Sequence, residues 1–248
     1  MGQTVTLTGM VLIAAPIGDY DKRLVLLTKE RGKITAFAKG ARRQNSPLLA
    51  ATNPFSFGAF TCFEGRTSYN LMQAEISNYF SGLSQDYEAA YYGFYFMEIA
   101  DYYARENNDE AEMLRLLYAT LRALMNAHIT NELIRYIFEW KSMVISGEYP
   151  QMFCCTGCGV QEDLRAFVPA GDGLVCKNCL SGSKGAVLLL ESTIYTYQYI
   201  ASSTIEKLYT FTVSEEVLRE MKRLQARLRK IYMDKQFKSL EILESIVT

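Results

Sequence analysis

Histidine is almost absent: the 248 residues contain one, His128, and the net formal charge is only −1. His128 is followed by Ile129 and Thr130, so neither a His-x-Glu deaminase pattern nor an H-E-x-x-H zinc helix can be written. A G-x-x-x-x-G-K-[ST] phosphate loop and a G-x-S-x-G nucleophile elbow are also missing, which removes two further enzyme classes. As the sole histidine, His128 reads as an incidental helix residue rather than a general base. Acidic pairs such as Asp109/Glu110 fall at helix starts, where the helix dipole explains them better than acid–base chemistry. No apolar run reaches the roughly 18 residues of a membrane span. Met1 to Thr8 has no basic start, and Val5 to Ile13 alternates where a secretory leader would be continuously apolar. The opening "MGQTVT" fits a loose myristoylation register with Gly2 and Thr6, yet the same residues read better as the start of a strand. Repeats and low-complexity tracts are lacking too. The expectation is a cytoplasmic protein that is not an enzyme.

The length exceeds the usual single domain, and the 49% hydrophobic and 21% charged content is ordinary for a soluble chain. The small net charge conceals a split. Residues 1–80 carry nine Lys/Arg against five Asp/Glu, whereas residues 81–150 carry five against eleven. Segregation of this kind assigns the two parts different surroundings.

The first 80 residues read as strands. Val5, Leu7, Gly9, Val11 and Ile13 form one face, with Thr4, Thr6 and Thr8 on the other. Lys22–Thr28, Lys33–Lys39, Phe55–Phe63 and Ser68–Ile76 follow turn residues. Five short strands suit a barrel of the oligonucleotide-binding (OB) type. A polar loop, Gly40–Asn53, separates the third strand from the fourth. After Gly82 the pattern turns helical. Asp86 is a candidate N-cap before an aromatic stripe at Tyr87, Tyr91, Phe94, Tyr95 and Tyr102, expected to be core. Further helices fit Asp109–Ala127, Glu132–Ile145, Leu188–Ala201 and Ser214–Ile231, the last with a seam of Val217, Met221, Leu224, Leu228 and Ile231. The fold class is therefore multidomain α+β. A barrel domain at 1–80 precedes a helical domain at 81–248, which carries a cysteine-rich insertion at about 152–182.

Cys155-x₂-Cys158 and Cys176-x₂-Cys179 are 17 residues apart, within the window for a tetrahedral four-thiolate zinc site. Two intervening residues let one tight turn present both sulfurs, and Gly159 frees the backbone after the first pair. Gly171-Asp172-Gly173 lets the chain double back before the second. Four thiolates leave no open position, so one structural Zn²⁺ per chain is expected. An iron site would use the same four residues. A disulfide does not suit a cytoplasmic chain, and a redox pair would need a βαβ setting that neither Cys-x₂-Cys has. Cys154-x₃-Cys158 is a possible register, but the matched x₂ spacing favours Cys155. Cys62 reads as buried in a strand.

Asp21 to Arg43 holds Lys22, Arg23, Lys29, Arg31, Lys33, Lys39, Arg42 and Arg43 against Asp21 and Glu30 alone. On the third strand Ile34, Ala36 and Ala38 suit the interior, which sends Lys33, Thr35, Phe37 and Lys39 outward. An aromatic between two lysines supplies a platform for a base and charges for flanking phosphates. The plainer alternative is a solvated strand with one exposed Phe. Lys33, Phe37, Lys39, Arg42, Arg43, Lys22, Arg23 and Arg31 are the candidate DNA contacts.

The segment "GMVLIAAPIGDYDKRLVLLTKERGKITAFAKGARR" (Gly9–Arg43), followed by "NPFSFGAFTCFE" (Asn53–Glu64), resembles the start of the RecO family of bacterial recombination mediators. The likeness runs on through "CTGCG…GDGLVCKNC" to "KIYMDKQFKSLEIL", covering essentially the whole chain. It implies binding of single- and double-stranded DNA, annealing of complementary strands, and loading of RecA with RecR onto DNA coated by single-strand-binding protein, whose acidic C-terminal tail is a partner. It also implies a bacterial cytoplasmic, nucleoid-associated location and no membrane. Lys33, Lys39, Arg42 and Arg43 inherit the DNA contacts and the four cysteines the metal. The acidic stretch 81–150 departs from a simple DNA binder, and keeps a second reading open: a zinc-containing interaction scaffold with little nucleic-acid contact.

Overall fold

A computed structural model describes residues 2–126 and 128–246. The chain forms two compact units, Met1–Ala127 with Phe237–Thr248, and His128–Gln236.

In the first unit, β1 (Thr4–Ile17), β2 (Asp21–Thr28), β3 (Gly32–Ala38), β4 (Phe57–Glu64) and β5 (Tyr69–Asn78) close into a barrel of order β1-β2-β3-β5-β4. All neighbours are antiparallel except β3 and β5, which pair parallel at Ala36↔Tyr69 and Phe37↔Asn70. Strict alternation on β3 buries Ile34, Ala36 and Ala38 inside, together with Leu7, Val11, Leu24, Leu26, Phe60, Cys62 and Leu71. β1 keeps its expected phase only to Val11. A register shift between Val11 and Ile13 then turns Ile13 outward, 41% exposed, and brings Ala14 against the core. A bulge bends the long strand around the barrel and reverses which parity faces in. Between β3 and β4 the polar loop contains a single helical turn, α1 (Leu48–Ala51).

Two helices, α2 (Tyr87–Tyr103) and α3 (Ala111–Leu124), follow in the same unit. Asp86 caps α2 by accepting a hydrogen bond from the Ala89 N–H at 3.1 Å. The buried face of α2 is Tyr92, Tyr95, Phe96 and Ile99, whereas Tyr87 and Phe94 are exposed. Of the aromatic stripe expected to be core, Tyr95 is fully buried and Tyr91 and Tyr102 are half-buried, so the stripe holds only in part, because α2 is apolar nearly all round and periodicity does not single out one face. The expected end of the next helix at Ala127 lies outside the described residues.

The second unit contains α4 (Asn131–Ile145), a sheet of β6 (Leu164–Val168), β7 (Gly173–Cys176) and β8 (Val187–Leu188), and the short α5 (Lys177–Leu180). Then come α6 (Glu191–Ser202) and α7 (Glu215–Tyr232). Thr130 and Ser214 cap α4 and α7 through the N–H groups of Leu133 and Val217. Trp140 on α4 is fully buried and donates its indole N–H to the Tyr197 carbonyl at 2.9 Å. Glu139, also fully buried, accepts from Arg135 Nε at 2.9 Å and Arg229 Nη1 at 2.8 Å. On α7, Val217, Met221, Leu224 and Leu228 are buried as the spacing requires, but Ile231 is 47% exposed and Gln225 takes a core position. The last helix, α8 (Lys238–Ile246), belongs to the first unit, where the Ser239 N–H donates to Glu98 of α2 at 3.1 Å. The compact units place α2, α3 and α8 with the barrel. Among the described residues no helix is long and apolar enough to cross a membrane.

Candidate nucleic-acid interface and metal centre

Antiparallel pairing sets Arg23 of β2 directly opposite Phe37 of β3, and Val25 opposite Thr35, on the outer face of the barrel. Arg23 is exposed and Phe37 half-buried. Lys39, Arg42 and Arg43 are exposed just beyond the end of β3. Among the described residues, no carboxylate lies within ion-pair distance of Arg23, Lys39, Arg42 or Arg43.

The other three basic candidates are engaged within the fold. Lys33 makes an ion pair with Asp101 of α2 at 3.2 Å and donates to the carbonyl of the same residue at 2.6 Å. Lys22 donates to Thr52 Oγ1 at 3.0 Å and Asn53 Oδ1 at 2.9 Å, which clamps the far end of the Gly40–Asn53 loop onto β2. Burial, and then the charge of Arg42, lower the Lys22 pKa. Arg31 reaches Glu64 at 3.9 Å. The cationic surface is therefore narrower than the sequence suggests, because side chains from distant segments neutralise part of it.

One residue that the sequence does not flag joins this surface. Tyr20, at the tip of the β1–β2 hairpin, is 53% exposed, and the Arg43 guanidinium lies 5.2 Å from its ring centroid. An aromatic directly after a Gly18-Asp19 turn is the only local signal.

The candidate metal centre lies in the second unit. Cys155 and Cys158 occupy one turn, Cys176 ends β7, and Cys179 sits in α5. All four Sγ atoms lie within 4.8 Å of one another, with Cys158 and Cys176 at 3.7 Å. A tetrahedron with metal–sulfur bonds of about 2.3 Å has edges of about 3.8 Å, so the set fits one ion. Gly159, with φ of 79°, turns its N–H onto the Cys155 carbonyl at 2.8 Å. A Cβ on Gly157 would stand 3.1 Å from Cys179 Sγ, so that position keeps the cage open. The N–H groups of Gly157 and Cys176 donate to Cys155 Sγ at 3.4 and 3.3 Å. Burial pushes the Cys155 thiol up, but backbone N–H donors from Cys176, Cys158 and Gly157 outweigh it and bring the pKa down to about 6. Cys179, hydrogen-bonded to Cys158, Cys155 and Cys176, is pushed up to about 12. Such a cluster carries one thiolate readily and gains the rest when a cation neutralises them. Cys154 is not part of the group. Cys62 is fully buried in the barrel, which raises its pKa to about 11.

On α7, Arg219, Arg223, Arg227 and Lys230 are exposed, whereas Arg229 turns inward to Glu139.

A closed OB-like barrel, in a chain whose helical region bears a four-cysteine cluster able to hold a metal ion, defines a barrel-plus-helix protein with a candidate metal site. Residues 1–80 match the family model for the recombination protein O N terminal, and residues 84–241 that for the recombination protein O C terminal. The chain belongs to the RecO family of DNA repair proteins. It is similar to the DNA repair protein RecO of Alkaliphilus metalliredigens, 30% identical with 96% of this chain and 98% of the relative covered. The RecO proteins of Acetivibrio thermocellus, 28% identical with 96% of each chain covered, and Symbiobacterium thermophilum, 29% identical with 96% of each covered, are similar over the same extent.

Proposed function

We propose that this chain is a non-enzymatic, cytoplasmic recombination mediator that binds single- and double-stranded DNA and anneals complementary strands. With RecR it helps RecA load onto DNA coated by single-strand-binding protein, engaging that protein's C-terminal tail. The observation that carries this reading is a set of cations without carboxylate partners, Arg23 opposite Phe37 and Lys39, Arg42 and Arg43 just beyond the end of β3. Cations without internal counter-ions exchange with the counter-ions condensed on a polyphosphate, and their release drives association. Neutralised strands repel one another less, and bases left facing solvent can then pair. Cys155, Cys158, Cys176 and Cys179 would hold Zn²⁺, which when bound supplies cross-linking of the element and folding free energy. These residues use all their sulfurs in holding the ion, so the centre shapes the second unit and carries no step.

Strand annealing tests the reading, with and without the single-strand-binding protein coat, on the wild type and on the Lys39→Ala, Arg42→Ala, Arg43→Ala triple variant. Annealing by the wild type and its loss in the variant are expected. Equal annealing by both proteins refutes the barrel assignment. A scaffold reading, in which the chain docks proteins and barely touches DNA, draws support from the internal engagement of Lys22, Arg31 and Lys33. It expects the triple variant to keep its protein partners while the wild type shows no oligonucleotide binding.

A further inference from the structure

Tyr20 stands on a pedestal built from two turns. The β1–β2 turn contains Gly18 with φ of 53°, and the chain leaving β3 turns at Gly40 with φ of 65°; both sit in the left-handed region that glycine enters at little cost. The turns are laced to each other by main-chain and side-chain hydrogen bonds. The Arg42 N–H donates to the Tyr20 carbonyl at 2.8 Å, Arg42 Nη1 donates to the Gly18 carbonyl at 3.3 Å, and the Gly40 N–H donates to Asp21 Oδ1 at 2.7 Å. Lys22 clamps the other end of the same loop. The ring is therefore presented by ordered backbone, so little ordering remains for a ligand to impose.

Arg43 lies over the ring at 5.2 Å, yet Tyr20 remains 53% exposed. One face is occupied by a guanidinium and the ring still presents a large surface to solvent. The chain neighbours of Tyr20 are Asp19 and Asp21, the latter held by the Gly40 N–H, and the cations of this surface are Lys39, Arg42 and Arg43, with Arg23 three residues along the chain opposite Phe37. An exposed aromatic on a hydrogen-bonded turn, beside cations that have no carboxylate partners, suits a ligand that offers π-faces and phosphates at once. A duplex offers the phosphates but keeps its base faces stacked on one another. A single strand offers both.

We infer that Tyr20 is a base-stacking residue of the barrel surface, receiving an unpaired nucleobase on the ring face that Arg43 does not cover, and that it biases the surface toward single strands over duplex. This rests on the DNA-binding reading above. Arg43 acts beside it, its charge facing the phosphate of the stacked nucleotide while its plane extends the stack.

The test uses the full chain, its metal bound, with fluorescein-labelled oligothymidylate and a mixed-sequence duplex of equal length, each titrated by anisotropy across a salt series. Tyr20→Ala should weaken single-strand binding about tenfold, within the range of one lost base stack. It should leave duplex binding and the slope of log K against log salt unchanged. Tyr20→Phe should bind like the wild type, because the ring and not the hydroxyl carries the contact. Arg43→Ala should instead shallow the single-strand slope by about 0.7, the signature of one phosphate contact. The substitutions at Tyr20 keep its carbonyl, which accepts from Arg42, so the turns stay laced; unchanged thermal melting checks this. Equal loss of single-strand and duplex affinity in Tyr20→Ala, a shallower slope, or no loss at all overturns the inference and leaves the DNA-binding reading standing. A wild type that binds neither ligand at low salt overturns both.

Discussion

Two sets of cations on the barrel separate in what their removal should do. Lys39, Arg42 and Arg43 face solvent without carboxylate partners, whereas Lys33 is held by Asp101 and Lys22 by Thr52 and Asn53. With Arg23 counted among the unpaired set, four phosphates can be neutralised, and single-strand binding should follow a log–log salt slope of about −3. Affinity then falls about 50-fold between 50 and 200 mM salt. The triple alanine variant leaves one such cation, with a slope of about −0.7 and a fall of only about 2.5-fold over the same interval. Lys33→Ala removes an ion pair and a hydrogen bond. Both partners are roughly one-quarter exposed, at 28% and 23%, so solvent screens the pair. The loss should be about 1–2 kcal/mol of stability with no change of slope. Fluorescence anisotropy across a salt series and urea denaturation of the same proteins read the two effects separately. If Lys33→Ala shallows the slope as the exposed cations do, or the triple variant keeps the wild-type slope, the division of the barrel into bound and available charges is wrong.

Glu139→Gln should cost about 3–5 kcal/mol by urea denaturation, because it leaves the Arg135 and Arg229 guanidinium groups beside a neutral amide in a fully buried position; a loss below about 1 kcal/mol would mean the pair is screened by water. Cys155→Ser or Cys176→Ser should abolish stoichiometric metal and destabilise the second unit, read by metal analysis and thermal melting, and a variant that remains fully folded and loaded would remove that residue from the ligand set. In the metal-loaded native protein an aromatic disulfide reagent at pH 8 should find Cys154 and miss Cys62, which is fully buried with its pKa raised to about 11; rapid reaction at Cys62 would contradict the closed barrel. The same shift has a sign in stability. Below the ordinary thiol value of 9.0 Cys62 is protonated folded or unfolded, and as pH rises toward 11 the unfolded chain alone releases the proton. About 3 kcal/mol is lost across that window, and urea midpoints at pH 8 and 10.5 should show a smaller drop for Cys62→Ala than for the wild type.

The two kinds of site were unequally legible. The four-cysteine cluster could be read almost whole, because a Cys-x₂-Cys spacing is a local device and a doubling turn at 171–173 brings the two pairs together. The barrel face was legible in outline only. Alternation on β3 gave its inside and outside correctly, since a strand's two faces follow from a period of two. Lys33 looked as available as Lys39, Arg42 and Arg43, because a list of charges does not say which will meet a carboxylate.

Local order was thus decided by sequence alone: the strand parity of β3, the caps Asp86 and Ser214, the fourfold cysteine set, and the basic stretch from Lys22 to Arg43. Tertiary structure decided what each group does there. It turned Ile13 outward through a bulge, carried Asp101 across 68 residues to Lys33, buried Arg229 against Glu139, and set Arg42 and Arg43 against the turn bearing Tyr20. Periodicity and spacing act over a few residues, within reach of one turn or one pleat. Neutralisation and exposure depend on partners brought together only when the chain closes on itself.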